Sequence, residues 1–208
     1  MTDPIFSNLD RNVFDEANPS PYTDGVERGV SEKLVRQISE DKNEPEWMLE
    51  HRLKSLKIFQ EKPMPTWGAD LSTLDLDDII YYARSGAVET DDWKEVPEDI
   101  RKVYDRLGIP EAERRMLAGV GAQYESEMVY HNLKSQWEDL GVVFLDMDVA
   151  LHSHEEIVKE HFMKCVPASD HKFAALHGAV WSGGTFLYVP EGVTVSDPLQ
   201  AYFRMNAK

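Results

Sequence analysis

Cysteine is almost missing from this sequence. Cys165 is the only one in 208 residues, which excludes an intrachain disulfide and points to a reducing compartment. No CxxC, HxxxH or HExxH spacing is present to gather a metal on one turn or helix face. No window approaches the roughly 20 apolar residues of a membrane-spanning helix, and the N-terminus shows no basic-then-apolar leader. Positive charge is scarce too. Lys and Arg number 22 against 38 Asp and Glu, a formal net charge of -16. Such a surface repels phosphate backbones and anionic headgroups, so neither nucleic acid nor membrane is an expected partner. These absences leave a cytoplasmic chain with a solvated acidic surface.

What is present suffices for a core, since 42% of residues are hydrophobic. Residues 1–28 are rich in Asp, Asn, Pro and Ser without a sustained period, and read as a mobile tail. Residues 29–171 then read as a mainly helical region. Ser31 is a plausible N-cap for a helix that places Leu34, Val35 and Ile38 on one side. After Asn43-Glu44-Pro45, a second helix runs from Glu46 to Gln60. Leu49, Leu53, Leu56 and Phe59 or Gln60 form its apolar stripe, and Glu50, Arg52, Lys54 and Lys57 face water. The acidic segment Leu71 to Tyr82 lacks the Gly and terminal Glu of a calcium loop, and reads as Asp residues opening a short helix.

Helices are also expected over Pro97–Leu107 and Pro110–Leu117, and a longer one over Gln123–Leu140 with Val129, Leu133, Trp137 and Leu140 as its stripe. Val142 to Leu145 reads as a strand. Ser153 and Glu156 form a capping-box pattern for a helix to about Lys164, and Asp170 starts a last short helix. Residues 172–208 then give short strands at Ala179–Trp181, Thr185–Val189, Val193–Val195 and Leu199–Phe203, cornered by glycines and Pro190. Short strands with a corner at each end suit a stacked β-coil, and the last would present a bare edge.

The local motifs name no active site. Gly119-Val120-Gly121 is a lone GxG without a GK[ST] or a third glycine, and reads as a flexible junction between helices. Asp146 and Asp148 are a pair able to serve as acid and base, but such pairs are common in an acidic chain. His154, His161 and Cys165 can share one face of a persistent helix, and their imidazole and thiolate groups suit zinc or iron. Helix-end histidines and a buried thiol account for the same residues. His161 one turn from Cys165 also fits a thiol of lowered pKa, although no orienting partner is visible.

The order of longer segments is more specific. It comprises NEPEWMLEHRLKSL (Asn43 to Leu56), LDDIIYYAR (Leu76 to Arg84), GIPEAERRMLAGVGAQYESEMVYHNL (Gly108 to Leu133), KFAALHGAVWSGGTFLYVPEGV (Lys172 to Val193) and PLQAYFRMNA (Pro198 to Ala207). From about Gly29 onward the chain resembles the SufB/SufD family of iron–sulfur cluster assembly proteins in the SUF system, and within it the SufB-like members. The resemblance implies an α+β fold in which an N-terminal α-helical region leads into the first strands of a right-handed parallel β-helix. It implies a scaffold rather than an enzyme. On that scaffold a transient iron–sulfur cluster is assembled with the SufC ATPase and with SufD or a second SufB. The family's cysteine, glutamate and histidine positions for sulfur and cluster lie beyond the point matched by Ala207, so this chain is expected to be a partial one that does not hold the cluster itself. Arg204 and Asn206 match polar residues associated with the family's sulfur path. Their spacing places both on one strand face, where a buried Arg is costly unless hydrogen-bonded; an ordinary edge-strand Arg facing water accounts for Arg204 equally well. Two other roles fit the residues: a stand-alone SUF interaction module, and a small metal-binding protein using His154, His161 and Cys165.

Overall fold

The computed structural model describes residues 27–83, 92, 94–96, 98, 101–102, 119–124 and 127–204. In chain order the elements are α1 (Glu32–Asp41), α2 (Glu46–Glu61), β1 (Gly119–Tyr124), β2 (Glu127–Leu133), α3 (Ser135–Glu138), β3 (Val143–Asp146), α4 (Met147–Ser153), α5 (Glu155–His161), α6 (Lys172–Val180), β4 (Thr185–Tyr188) and β5 (Leu199–Arg204). They belong to two compact units. One comprises residues 23–83 and 145–186, and the other residues 1–22, 84–144 and 187–208. Of the expected tail, only residues 27 and 28 are described, and there Arg28 pairs with Asp78.

The first unit is helical because its chain encodes helix starts and apolar faces together. Ser31 caps α1, its Oγ accepting from the Leu34 amide at 3.0 Å. Leu34, Val35 and Ile38 are buried as their spacing predicts. Pro45 stands at the N-cap of α2. That helix buries Met48, Arg52, Ser55, Leu56 and Phe59, so its inner stripe is rotated from the one predicted. Arg52, expected in water, is fully buried.

At the far end of α2, Lys172 Nζ donates to the carbonyls of Phe59 (2.7 Å) and Lys62 (2.9 Å). A cation there satisfies orphan acceptors and opposes the negative end of the helix dipole. The cluster of Leu34, Val35, Ile38, Leu56, Phe59 and Tyr82 is completed by Ala175, Leu176, Ala179 and Val180 of α6.

That last set corrects a predicted strand. Ala179 and Val180 end a helix, and Trp181 follows it as the C-cap. The run KFAALHGAV holds strong helix formers, and its small residues let α6 lie close against its neighbours. Gly178 marks the closest approach. A Cβ there would lie 2.6 Å from Ser55 Oγ and 3.1 Å from Met163 Sδ. The N-cap is His171, one residue after Asp170, and its Nδ1 accepts from the amides of Phe173 and Ala174.

Two further readings change. Residues 71–79 form turns instead of a helix: Asp70 Oδ1 accepts from the Ser72 amide and Asp75 Oδ1 from the Asp77 amide, both at 2.9 Å. Asp side chains compete for nearby backbone donors in this way. The helix expected to open at Ser153 and run to about Lys164 is present as α5 but is capped by His154, where φ is -133° and ψ 36°, and ends at His161; a separate helix, α4, runs up to Ser153. Ser153 does not cap α5; its Oγ donates to the Val149 carbonyl at 2.9 Å.

In the second unit the long helix predicted over Gln123–Leu140 is replaced by strands and one short helix. The strand order is β2–β1–β5. β1 pairs antiparallel with β2, Gly119 opposite Leu133, with a bulge between Ala122 and Gln123. β5 pairs parallel with β1, from Gly119 opposite Leu199 to Tyr124 opposite Arg204. The supposed helical junction Gly119–Gly121 is therefore the start of a strand. Trp137 of α3 and Val142 are buried, with Leu133, Val193, Val195 and Leu199 packed on them. Leu140, assigned to the stripe, is 51% exposed, so the helical period there was coincidental. Val193–Val195 contributes to this core without forming a strand. Gly141 has the positive φ of a helix-ending residue, 82°. The helices expected over Pro97–Leu107 and Pro110–Leu117 lie outside the described residues, except that 98, 101 and 102 are helical. The predicted strands at 142–145 and 185–189 are present as β3 and β4, which pair in a two-stranded sheet.

The close approach at Gly178 sets a test. Gly178→Ala gains about 1 kcal/mol of helix propensity but forces overpacking worth about 1–3 kcal/mol. Ser55 is only 1% exposed and already donates to the His51 carbonyl at 2.8 Å, so it has little room to yield. Urea denaturation should show a net loss of stability; an equal or higher midpoint would mean that the helices separate at no cost.

Candidate functional site

The sequence-predicted metal residues separate into two places. His154 sits at the α4–α5 break, its Nδ1 2.8 Å from Ser153 Oγ and its ring centroid 5.6 Å from that of Phe186. His161 and Cys165 instead share a hollow of about 400 Å³ with His171 and His177. The continuous helix that would have aligned all three candidates ends at His161, so only His161 and Cys165 are brought to one place. The two extra histidines arrive because α6 packs beside the turn after α5, which no local spacing signals.

Imidazole and thiol together would suit a borderline or soft metal. Among the described residues, however, no three His, Cys, Asp or Glu side chains are placed to hold one ion. His171 already spends Nδ1 on the α6 cap, and its Nε2 lies 3.9 Å from Asp170 Oδ2. Cys165 is exposed, contrary to the buried thiol that had been the alternative reading.

Asp146 and Asp148 make no acid–base pair facing a cleft. Asp146 is buried. Asp148 pairs with Lys42, whose side chain is itself mostly buried. Burial pushes the Asp148 carboxyl above its usual range, and the Lys42 ammonium opposes that rise. This is a tether between the end of α1 and the start of α4. Of the sulfur-path candidates, Arg204 closes β5, paired in register with Tyr124. Asn206 lies outside the described residues.

The charged group that the sequence reading misplaced is the most tightly held. Arg52 Nε donates to Glu44 Oε2 at 2.7 Å and Nη2 to Oε1 at 2.5 Å. Nη1 reaches the Ala179 carbonyl at 3.1 Å, and the guanidinium lies 4.6 Å from the centre of the Trp181 ring. Both side chains of the pair are wholly buried. The available signal was positional: Arg52 falls on the Met48–Ser55–Phe59 face.

Next to it, His51 is half-buried, with Nε2 3.3 Å from Met163 Sδ and Phe162 edge-on at 5.3 Å. Its pKa is pushed below 6.5, first by burial, then by the positive charges of Arg52, Lys54 and Lys164, with Glu44 opposing. His177 is shifted the same way by burial and Arg52, but it is open to solvent, which screens the effect.

A family model of the SufBD protein N-terminal region matches residues 94–201. An iron-sulfur cluster assembly SufBD family protein of Staphylococcus aureus (strain USA300) is 57% identical over 182 residues, covering 88% of this chain and 39% of its own length. A protein of the same description from Staphylococcus haemolyticus (strain JCSC1435) matches with the same identity and coverage. The chain thus spans about two fifths of the length of these curated relatives. No described helix is long and apolar enough to cross a membrane.

The buried imidazole predicts a pH dependence. Because the folded pKa of His51 is depressed, the unfolded chain takes up a proton below 6.5 that the folded chain refuses. The stabilisation is complete above 6.5 and is lost as pH falls toward the lowered value. Urea midpoints measured from about pH 7.5 to about pH 5.5 should therefore fall on acidification, and His51→Gln should flatten that slope. An identical slope in the variant would remove His51 as its source.

Proposed function

The chain belongs to the SufBD family of iron–sulfur cluster assembly proteins, and from that membership we propose that it forms the N-terminal part of a SufB-like scaffold subunit of the SUF system. The match across residues 94–201 supports the family part of this reading, and the SufB-like branch rests on the order of the sequence blocks from Asn43 to Ala207. In it the protein is a cytoplasmic scaffold, not a turnover enzyme. The iron–sulfur cluster is its cargo, built with the SufC ATPase and with SufD or a second SufB, on a part of the protein that these 208 residues do not supply.

We further propose that β5 opens a right-handed parallel β-helix. Its parallel pairing with β1 and its outer place in the order β2–β1–β5 are compatible with more parallel strands stacking beside it. Arg204 ends that strand, so a sulfur path using Arg204 and Asn206 would begin at its carboxyl end. Among the described residues no group of three or more His, Cys, Asp or Glu side chains is placed to hold a metal ion, and in this reading the task of the helical unit is to carry the β-coil and present surfaces to other assembly proteins.

A chimera tests the assignment. The present chain would replace the matching 182 residues of the S. aureus relative. SufB-like identity predicts that the chimera restores iron–sulfur enzyme activity in cells depleted of a SufB subunit, and fails in cells depleted of SufD. A chimera that accumulates in folded form but rescues only the SufD-depleted cells would reassign the chain to the other branch, and rescue of neither would remove the scaffold role.

A further inference from the structure

Between α2 and the segment Lys159–Ser169 lies a cavity of about 490 Å³. Its size falls within the roughly 300–1,000 Å³ of small-molecule sites. The wall is built from one face of α2, Trp47, His51, Lys54 and Ile58 at three- and four-residue steps, and from Lys159, Phe162 and Lys164 opposite. Ser55 and Ala168 are buried at its inner side, and all three lysines are open to solvent. The cavity has a mixed wall, with Trp47, Ile58, Phe162 and Met163 as its apolar part and the ammonium groups at its exposed edge.

The charge here runs against the rest of the molecule. A chain of net charge -16 places three lysines around one cavity whose only lining carboxylate is Glu50. Among the described residues, none of the three is within ion-pair distance of Asp or Glu. Lys159 leans over the Trp47 ring at 5.6 Å, and the indole is fixed from its other end, Nε1 donating to Glu155 Oε1 at 2.8 Å. The local field is positive enough that Lys54 and Lys164, with Arg52, help to keep His51 uncharged. Elsewhere in this unit several cations are matched, Lys42 to Asp148, Arg52 to Glu44 and Arg36 to Glu32, while Lys57 and Lys62 stand apart from one another on the surface rather than around a hollow.

We propose that this cavity is a binding site for a small organic anion, a carboxylate or phosphate ester with an apolar body. The acid group lies among Lys54, Lys159 and Lys164, and the apolar body lies against Trp47 and Phe162. Neither half of the ligand is sufficient alone. Exposed lysines are weak partners for a bare ion in water, whereas an apolar body that buries against the aromatic wall holds the acid in place.

Calorimetric titration of the full chain with phenyl phosphate, phenylacetate, inorganic phosphate and benzyl alcohol tests it. Phenyl phosphate or phenylacetate should bind at least tenfold more tightly than either inorganic phosphate or benzyl alcohol. Lys54→Gln with Lys164→Gln should weaken the better probe at least tenfold while leaving the circular dichroism spectrum unchanged, since both side chains are exposed. Trp47→Leu should weaken it as well. Binding that survives the double lysine change, or equal affinity for benzyl alcohol, would overturn the proposal. So would failure of all four probes, including the case in which an Asp- and Glu-rich peptide binds instead and makes the cavity a protein-docking surface.

Discussion

Arg52 and Glu44 carry opposite charges with no exposed surface on either side chain. Removing two such charges from water costs several kcal/mol per ion, and only close, complete pairing repays it. Here the pairing is two-pronged, with both carboxylate oxygens engaged. The remaining guanidinium edge is taken by the last turn of α6 and its face by Trp181. Glu44 itself is aimed by the turn between α1 and α2, where Asn43 adopts the left-handed conformation at φ 49° and the Glu44 amide donates to the Ser39 carbonyl. Asn tolerates that conformation better than most residues. One ion pair thus ties the turn between α1 and α2 to the body of α2, and the same guanidinium holds the end of α6.

The features that bear on function in this unit sit around that pair. His51, beside Arg52, turns one way toward the lysine-edged cavity. The α6 helix that Arg52 grips brings His171 and His177 to His161 and Cys165. Lys172, at the start of the same helix, closes the open carbonyl end of α2. A change in the Arg52 contacts would be felt at both hollows, because the walls of each include residues of α2 or α6. The second unit is governed by other forces, strand pairing and the small Trp137–Val142 core.

Family membership was legible in the sequence because long blocks in fixed order carry far more information than any motif. Locally, the Ser31 cap and the starts and ends of the first two helices were legible, since each rests on side chains acting within a few residues. Three readings failed where distant partners decide. Val129, Leu133, Trp137 and Leu140 have helical spacing, yet pairing with β1 makes Glu127–Leu133 a strand. Ala179–Trp181 has a strand-like composition, yet burial against α1 and α2 extends the helix through Val180. Arg52 looked solvated because burial of an Arg is normally prohibitive, and its partner eight residues earlier could be identified only once the turn was folded. The site residues show the same divide. Spacing alone predicted the proximity of His161 and Cys165. His154, which the same spacing had included, stands at the α4–α5 break and does not line that hollow, and spacing was silent on the histidines supplied by α6.

A buried ion pair, and not apolar packing alone, organises the first unit. A double-mutant cycle over Arg52→Met and Glu44→Leu, read by urea denaturation, tests it most directly. Each single change strands a buried charge and should cost about 3–5 kcal/mol, while the double change, which leaves no charge behind, should cost far less than the sum. Single changes within about 1 kcal/mol of the parent, or strictly additive losses, would show that the pair is incidental.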